Sequence, residues 1–230
     1  MNFVELKSGK SVEGDEIKAF RSELKGPRYL YLMAGVHGDE VEGVYALQQM
    51  FEWLKQQDDL DFPTIVIPVL NPDGYRSGSR TNSHGVDLNR NLPAKSWVSE
   101  QRSDRYNPGQ APLSEPENQF LDKLFQKFPP HLIITLHSWK PMINYNGDCK
   151  DVADLLNLYN SYPVVADIEG HPTPGSLGDY GPEKYQSPVL TFEFPVIDDN
   201  NDLKSIWEEN RIGFETLLQS DLVRAQTKSS

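Results

Sequence analysis

Four nearly continuous apolar segments constrain the fold of this chain more than any other feature. They read YLYLMAG at 29–35, TIVIPVL at 64–70, LIITLHS at 132–138 and PVLTFEF at 188–194. A strand with one face in water alternates apolar and polar residues, whereas these runs are apolar at successive positions. Such runs are typical of strands buried on both faces of a sheet. The sequence therefore predicts a central sheet that other elements cover on both sides.

Helical patterns occupy the segments between these runs. Apolar residues recur with a period near 3.6 from Val41 onward. Residues 114–128 begin with Ser114 and Glu117 at the spacing of a capping box. Two more helices are predicted at 150–162 and 203–219, and edge strands are predicted near 3–6 and 17–20. Strands alternating with helices indicate the α/β class, here a three-layer α/β/α sandwich with a mixed, mostly parallel central sheet.

Length and composition limit the possible classes of protein. The 230 residues are enough for one catalytic domain, which we expect to span 1–230, and for a core without disulfides. Cys149 is the only cysteine, so an intrachain disulfide is impossible and a reducing compartment is expected. The net charge of −12 repels phosphate backbones and argues against a nucleic-acid partner. No apolar run approaches the roughly 20 residues of a membrane span, and the N-terminus lacks a signal-peptide pattern. We therefore expect a soluble, cytoplasmic protein with no membrane partner.

Histidine and glutamate residues stand at the ends of three predicted strands. His37 and Glu40 follow the first strand, His137 ends the third, and Glu193 lies in the fourth. Ligands of open α/β sheets gather at the carboxyl ends of the strands, so these four side chains are expected to meet. The second strand leads into the polar stretch 71–113, which is long enough to indicate a functional loop.

The combination of His37, Glu40 and His137 matches a catalytic zinc site. Zinc that catalyses hydrolysis commonly has three protein ligands and keeps one position for a water molecule, whose pKa it lowers. Glu193 is the candidate general base, because a buried carboxylate among apolar neighbours must be paired or functional. A structural interpretation competes, since each residue alone is more often a hydrogen-bonded part of a strand end or of a loop capping a helix. The complete set at strand ends favours the zinc interpretation.

The remaining histidines are interpreted as structural. His84 and His171 lie in predicted loops, and His131 lies at the start of a predicted strand.

Four separated motifs make the sequence resemble the zinc carboxypeptidase family, the metallocarboxypeptidases. They are GVHGDE, NPDGYRSGSRTNSHGVDLNRN, LHSW and LTFEFP, in the order typical of that family. The resemblance implies one Zn²⁺ per chain, held by His37, Glu40 and His137, with Glu193 as the general base. It implies that Asp87 orients His37.

The same resemblance assigns the substrate-binding residues. Arg80 is similar to the arginine that polarises the scissile carbonyl, and its position fits the family better than that of its rival, Arg76. Asn89 and Arg90 are similar to the pair that grips the substrate's terminal carboxylate. Digestive members carry a tyrosine on a loop before the catalytic glutamate, but the corresponding position here falls near Gly170 or His171. We therefore expect Tyr180 to approach the substrate instead.

The short chain and the TPGSLGDYG loop are most similar to the murein peptide amidase A branch of the family. Those bacterial enzymes cut the bond between γ-D-glutamate and meso-diaminopimelate in cell-wall peptides. The resemblance implies a small peptide substrate with a free carboxylate beside the scissile amide, and Asp179 or Asp148 as a partner for its distant ammonium. Three alternatives remain: a carboxypeptidase for ordinary or γ-glutamyl peptides, an aspartoacylase-like deacylase, and a zinc-containing peptide-binding module without turnover.

Overall fold

A mixed eight-stranded sheet forms the centre of the computed structural model, which describes residues 1–166, 168 and 170–224. The strands are β1 (Phe3–Glu5), β2 (Gly9–Lys10), β3 (Glu16–Ile17), β4 (Phe20–Ser22), β5 (Tyr29–Ala34), β6 (Thr64–Ile67), β7 (Pro130–Trp139), β8 (Met142–Asn146), β9 (Val164–Val165) and β10 (Val189–Pro195). The helices are α1 (Val41–Lys55), α2 (Pro72–Ser77), α3 (Pro116–Lys127), α4 (Lys150–Asn160), α5 (Leu177–Tyr185) and α6 (Leu203–Gln219). Strands β2 and β3 form a separate two-stranded sheet.

The four predicted apolar runs are neighbouring parallel strands. The large sheet has the order β1-β4-β6-β5-β7-β10-β8-β9, in which β6, β5, β7 and β10 run parallel to one another. Strand β4 is antiparallel to β6 at one side, and β8 is antiparallel to β10 at the other. All residues of β5 and β6 are buried, as expected for strands covered on both faces.

Helices cover both faces of the sheet. Leu30 and Leu32 of β5 belong to one buried cluster, which includes apolar residues of α1, α4 and α6. Tyr31 and Met33 point to the opposite face and belong to a second cluster with residues of α3 and α5. The predicted three-layer α/β/α sandwich with a mixed, mostly parallel sheet is confirmed. In the described part of the chain, no helix is both long enough and apolar enough to cross a bilayer.

The prediction of a capping box at the start of α3 is wrong. The helix begins at Pro116, its N-cap residue Glu115 makes no capping hydrogen bond, and Ser114 Oγ donates to Glu115 Oε1 at 2.7 Å. Glu117 instead accepts hydrogen bonds from the Val12 backbone N–H at 3.2 Å and from Asn82 at 3.1 Å. The Glu117 carboxylate, which the local pattern predicted to cap the helix, is therefore bound by donors that lie far away in the chain.

Several elements were absent from the sequence prediction. Helix α2 forms where NPDG was expected to be a loop, and Asn71 caps it by accepting from the Gly74 backbone N–H at 2.9 Å. Strands β8 and β9 and helix α5 were also missed. Strand β8 reads MINYN, a short alternating segment that is stabilised by pairing with β10.

Candidate active site

The turn after β5 carries His37 and Glu40 and needs a glycine between them. A Cβ atom on Gly38 would lie 2.0 Å from the carbonyl carbon of Gly74 in α2, so no larger residue fits without moving backbone. The Gly38 backbone N–H also donates to the Arg80 carbonyl at 3.4 Å. The close approach therefore joins the turn to the loop that carries Arg80.

Three potential metal ligands converge at this edge of the sheet. His37 Nδ1 lies 2.7 Å from Glu40 Oε1, and His137 Nδ1 lies 2.7 Å from Glu40 Oε2. The two Nδ1 atoms are 3.1 Å apart. All three residues are buried, and one ligand atom of each lies within 4.8 Å of the others. The sequence-predicted set is thus brought together in one place.

In both imidazole rings the Nε2 atom, on the side away from Glu40, has an oxygen atom within hydrogen-bond distance. This arrangement bears on whether the cluster suits a cation. His37 Nε2 lies 3.1 Å from Asp87 Oδ1, and His137 Nε2 lies 3.0 Å from Thr135 Oγ1. When each Nε2 donates to its oxygen neighbour, both Nδ1 atoms present lone pairs toward the Glu40 carboxylate. In this tautomer the converging electron-pair donors suit a cation between them, and two nitrogens with one carboxylate suit zinc. The residues therefore fit a zinc ion.

Arg80 joins the carboxylates on the two sides of His37. Its Nε and Nη2 donate to Asp87 Oδ2 at 3.1 and 3.0 Å, and its Nη1 donates to Glu40 Oε1 at 3.2 Å. Burial by itself raises the pKa of the Glu40 carboxyl, but His37 and His137 outweigh burial and hold this pKa well below its ordinary value. Both carboxylates are thus kept ionised around the histidines, since the pKa of Asp87 is also lowered in spite of burial, by His37 and Arg80.

Glu193 lies directly beside the ligand cluster. It is the register partner of His137 across the parallel pair β10 and β7, and its side chain lines the cavity. Its Oε2 atom is inaccessible to solvent and has no hydrogen-bond partner among the described residues. Burial, with a further contribution from Glu40, raises the pKa of Glu193 to about 7 against the lowering effect of His137. Glu193 is therefore a carboxyl group able to exchange a proton near neutral pH.

Asn89 and Arg90 line the same cavity. Asn89 Oδ1 accepts from the Leu177 backbone N–H at 2.8 Å, so the Nδ2 donor is the part of the amide left for a ligand. Arg90 is buried, and its Nη1 donates to the Asn89 carbonyl at 2.6 Å. The guanidinium groups of Arg80 and Arg90 both face the ring of Tyr106, at 5.3 and 5.5 Å from its centroid. Tyr106 is thus a shared neighbour of the two arginines.

The cavity floor is a patch of uncharged polar side chains on β8 and β10. Thr191 and Asn144 are register partners in the antiparallel pair, so Thr191, Glu193, Asn144 and Asn146 share one face of the sheet. All four line the cavity. Gly178 of α5 closes the floor, where a Cβ atom would lie 2.5 Å from Asn146 Oδ1. The missing side chain at Gly178 leaves the Asn146 amide free of steric crowding.

The expectation that Tyr180 approaches the substrate is wrong. Tyr180 is 1% exposed, it is absent from the cavity wall, and its hydroxyl donates to Asp122 Oδ1. Helix α5 packs this ring against the second core cluster, so the hydroxyl points to α3 rather than to the metal ligands.

Asp179 is engaged with Ser96, and neither it nor Asp148 lines the cavity. Arg76 pairs with Glu13 and Asp15 at the surface, whereas Arg80 lines the cavity.

Sequence reasoning missed several residues that line the cavity, namely Arg102, Arg105, Tyr106, Asn144, Asn146, Thr191 and His171. The alternating polar residues of MINYN were a signal for a strand with one face on a cavity. No local signal marked His171, which was interpreted as structural. Its ring contacts the exposed Trp139 at a centroid distance of 4.8 Å on the cavity rim.

The chain belongs to the zinc carboxypeptidase family, whose sequence profile matches residues 2–189. The match contains the histidines and glutamate of the ligand cluster and the loop with Arg80 and Arg90, and it ends four residues before Glu193. The chain is accordingly a metallopeptidase-type hydrolase.

Among curated relatives, murein peptide amidase A of Escherichia coli (strain K12) is 29% identical over 204 residues, covering 82% of this chain and 80% of the relative. Murein peptide amidase A of Vibrio campbellii is 29% identical over 224 residues, covering 93% and 86%.

Solved structures share the fold. The murein-tripeptide amidase of Escherichia coli O157 superimposes with a TM-score of 0.75 at 26% identity, covering 96% of this chain and 92% of that one. Carboxypeptidase A of Helicoverpa armigera gives a TM-score of 0.80 at 19% identity, covering 96% of this chain and 68% of that one, which is a likeness of fold alone.

Proposed function

We propose that this protein is a zinc-dependent amidase that hydrolyses the γ-D-glutamyl–meso-diaminopimelate bond of murein peptides, with residues 1–230 as one catalytic domain in the cytoplasm. The observation that carries the proposal is the position of Glu193, whose Oε2 has no hydrogen-bond partner in the described part of the chain and lies beside the converging His37, Glu40 and His137. A carboxylate oxygen that is shielded from water and lacks a hydrogen-bond donor is costly unless function requires it. Its neighbourhood is where a hydrolytic water would lie.

His37, Glu40 and His137 would hold one zinc ion. Zinc supplies Lewis acidity and lowers the pKa of water, which makes a nucleophile available near neutral pH. Asp87 keeps His37 in the tautomer with its lone pair on Nδ1, because the carboxylate accepts from Nε2. Glu193 takes the proton of the attacking water and delivers it to the leaving amine, a role that suits a carboxylate whose Oε2 has no hydrogen-bond partner among the described residues.

The arginines position the substrate and stabilise charge. Arg80 donates to the scissile carbonyl oxygen as negative charge develops there, and the carboxylates of Glu40 and Asp87 hold its guanidinium in place. Arg90 and Asn89 bind the carboxylate beside the scissile amide, through a guanidinium with parallel donors and a neutral amide donor. An enzyme with this clamp requires a free carboxylate on the leaving residue.

The polar floor supports diaminopimelate as the leaving residue. The distant end of this residue carries an ammonium and a carboxylate on one carbon. A primary amide accepts from an ammonium with its oxygen and donates to a carboxylate with its nitrogen, so Asn146 suits such an end. Thr191 adds a hydroxyl on the same face. An ordinary apolar C-terminal side chain would leave these polar groups unpaired, which weakens its binding.

A direct assay tests the proposal. Purified zinc-loaded protein is incubated with L-Ala–γ-D-Glu–meso-diaminopimelate and with an ordinary peptide ending in an apolar residue, and the products are identified by mass. We expect release of free diaminopimelate and little trimming of the ordinary peptide. Preferred trimming of the ordinary peptide supports the carboxypeptidase alternative, whereas tight binding of the tripeptide without products supports the binding-module alternative.

A further inference from the structure

The cavity carries an excess of positive charge on an otherwise acidic protein. Its walls include four arginines, Arg80, Arg90, Arg102 and Arg105, but only two carboxylates among the described residues, Glu40 and Glu193. The whole chain has a net charge of −12. Arg80 is already paired with Asp87 and Glu40, and Arg90 belongs to the carboxylate clamp. The remaining two arginines are more than a single-carboxylate substrate needs.

Arg105 has a defined position relative to the ligand cluster. Its Nη1 lies 3.3 Å from Asp39 Oδ2, and Asp39 directly precedes the ligand Glu40 in the turn after β5. The Arg105 side chain is 55% exposed, and its ion pair with Asp39 is the one recorded for it within residues 1–166, 168 and 170–224, which leaves further donors facing the cavity. Asp39 thus places a guanidinium at the cavity wall next to the metal ligands.

The sheet order separates Arg105 from the polar floor. The floor lies on β8 and β10, whereas Arg105 is tethered to the turn after β5, and β7 and β10 stand between β5 and β8. Three strand spacings of roughly 4.8 Å give about 14 Å between these two sides. His137 and Glu193, on the intervening strands, mark where the scissile bond must lie. A substrate whose leaving side chain occupies the floor therefore extends its acyl residue toward Arg105.

We propose that Arg105, held by Asp39, binds a free carboxylate on the acyl residue of the substrate and so selects peptides in which that residue is linked through its side-chain carbonyl. This inference rests on the proposed function. A γ-linked glutamate keeps its own α-carboxylate near the scissile bond, whereas an ordinary α-linked residue has none there. Arg105 is thus a specificity-determining residue on the side opposite the clamp.

Three tripeptides test the proposal. The first is L-Ala–γ-D-Glu–meso-diaminopimelate, the second has the glutamate α-carboxylate as a primary amide, and the third has the distant diaminopimelate carboxylate as a primary amide. The kcat/KM of each is measured for the wild type, Arg105→Gln, Arg105→Lys and Arg102→Gln. Arg102 is the matched control, because it is an exposed arginine of the same loop and the same cavity wall.

We expect Arg105→Gln to reduce kcat/KM roughly fivefold on the first substrate and much less on the second, the size expected for a partly exposed ion pair. Arg105→Lys should restore part of the difference, since it keeps the charge. Arg102→Gln should lower kcat/KM on the first and on the second tripeptide by the same factor. Equal losses on the first and second substrates in Arg105→Gln overturn the proposal. A loss that disappears only with the third substrate also overturns it, because the carboxylate bound is then that of the leaving residue.

A binding measurement separates this inference from the proposed reaction. Calorimetry with zinc-loaded Glu193→Gln protein gives the Kd of the first and second tripeptides with and without Arg105→Gln. A preference for the first that is lost in Arg105→Gln supports the inference even if the wild type has no turnover. Turnover without this preference rejects the role of Arg105 but not the proposed function. If neither tripeptide binds, the role of Arg105 and the proposed function are both rejected.

Discussion

Glu193 and His137 are register partners on the adjacent parallel strands β10 and β7. The backbone pairing of these two strands therefore fixes the distance between the proposed base and a proposed metal ligand. Neither residue depends on a flexible loop for its position. Sites built on strands are held more firmly than sites built on loops, which is an advantage for a proton transfer that requires close contact.

The first prediction concerns the metal. His137→Ala leaves two protein ligands, too few for a tight zinc site, so we expect the variant to lose its zinc during dialysis against a mild chelator while the wild type keeps one per chain. Atomic absorption measures the content. His84→Ala is the control, because His84 is exposed and contacts Glu115 away from the cavity. Stoichiometric zinc in His137→Ala would contradict the ligand assignment.

The second prediction concerns the base. Glu193→Gln keeps the shape of the side chain but cannot accept a proton, so kcat should fall at least ~100-fold. Zinc content should stay at the wild-type level, since Glu193 is not a proposed ligand. Near-normal turnover would point to another carboxylate, such as Glu183, whose Oε2 accepts from the Lys95 backbone N–H. Glu169, the other candidate, lies outside the described residues.

The third prediction concerns the clamp. Arg90→Lys keeps the charge but loses the two parallel donors of the guanidinium. Losing a charged hydrogen bond in a buried position costs about 1.5–3 kcal/mol, so kcat/KM on the free-acid substrate should fall at least about tenfold. Amidation of the carboxylate beside the scissile bond should then harm the wild type far more than the variant. The measurement is a two-by-two comparison of both proteins on both substrates, and equal losses in the two proteins would mean that Arg90 does not bind this carboxylate.

The fourth prediction concerns pH and the metal-free protein. The pKa of Glu193 is raised to about 7, chiefly by burial, against roughly 4.3 in an unfolded chain. Between these values the folded protein binds the extra proton, so the free energy of unfolding should fall as pH rises from about 4.5 to 7, by at most about 1.4 kcal/mol per pH unit. Urea unfolding of the wild type and Glu193→Gln from pH 4.5 to 8 measures the difference. Parallel curves for the two proteins would show that Glu193 does not titrate in this range.

The fifth prediction follows from the buried position of Tyr180. Tyr180→Phe removes the hydrogen bond to Asp122, which still accepts from Tyr185 at 2.9 Å. The free energy of unfolding should fall by about 1 kcal/mol, while kcat/KM and zinc content stay at the wild-type level. Thermal unfolding and the murein-peptide assay check the two parts. A tenfold loss of kcat/KM with unchanged stability would return Tyr180 to the substrate site.

Local periodicity and the positions of strand ends were enough to predict several parts of this protein. Continuous apolar runs identify buried strands because each residue in them faces one covered side or the other. Since parallel strands end at one edge of the sheet, His37, Glu40, His137 and Glu193 were expected to meet there, and the structure brings them together. The α/β/α architecture was predictable for the same reason.

The identity of the other side chains that enter the cavity depends on long-range packing. Asn144 and Asn146 line the floor because β8 pairs with β10 in one register, and a shift of one residue would turn both away. Tyr180 is buried because the packing of α5 on the core directs its hydroxyl to Asp122 of α3, 58 residues earlier in the chain. Glu117 does not form the predicted capping box, because its carboxylate accepts hydrogen bonds from Val12 and Asn82, which lie far away in the chain. These outcomes depend on contacts between residues far apart in the chain, and no local pattern of residues encodes them.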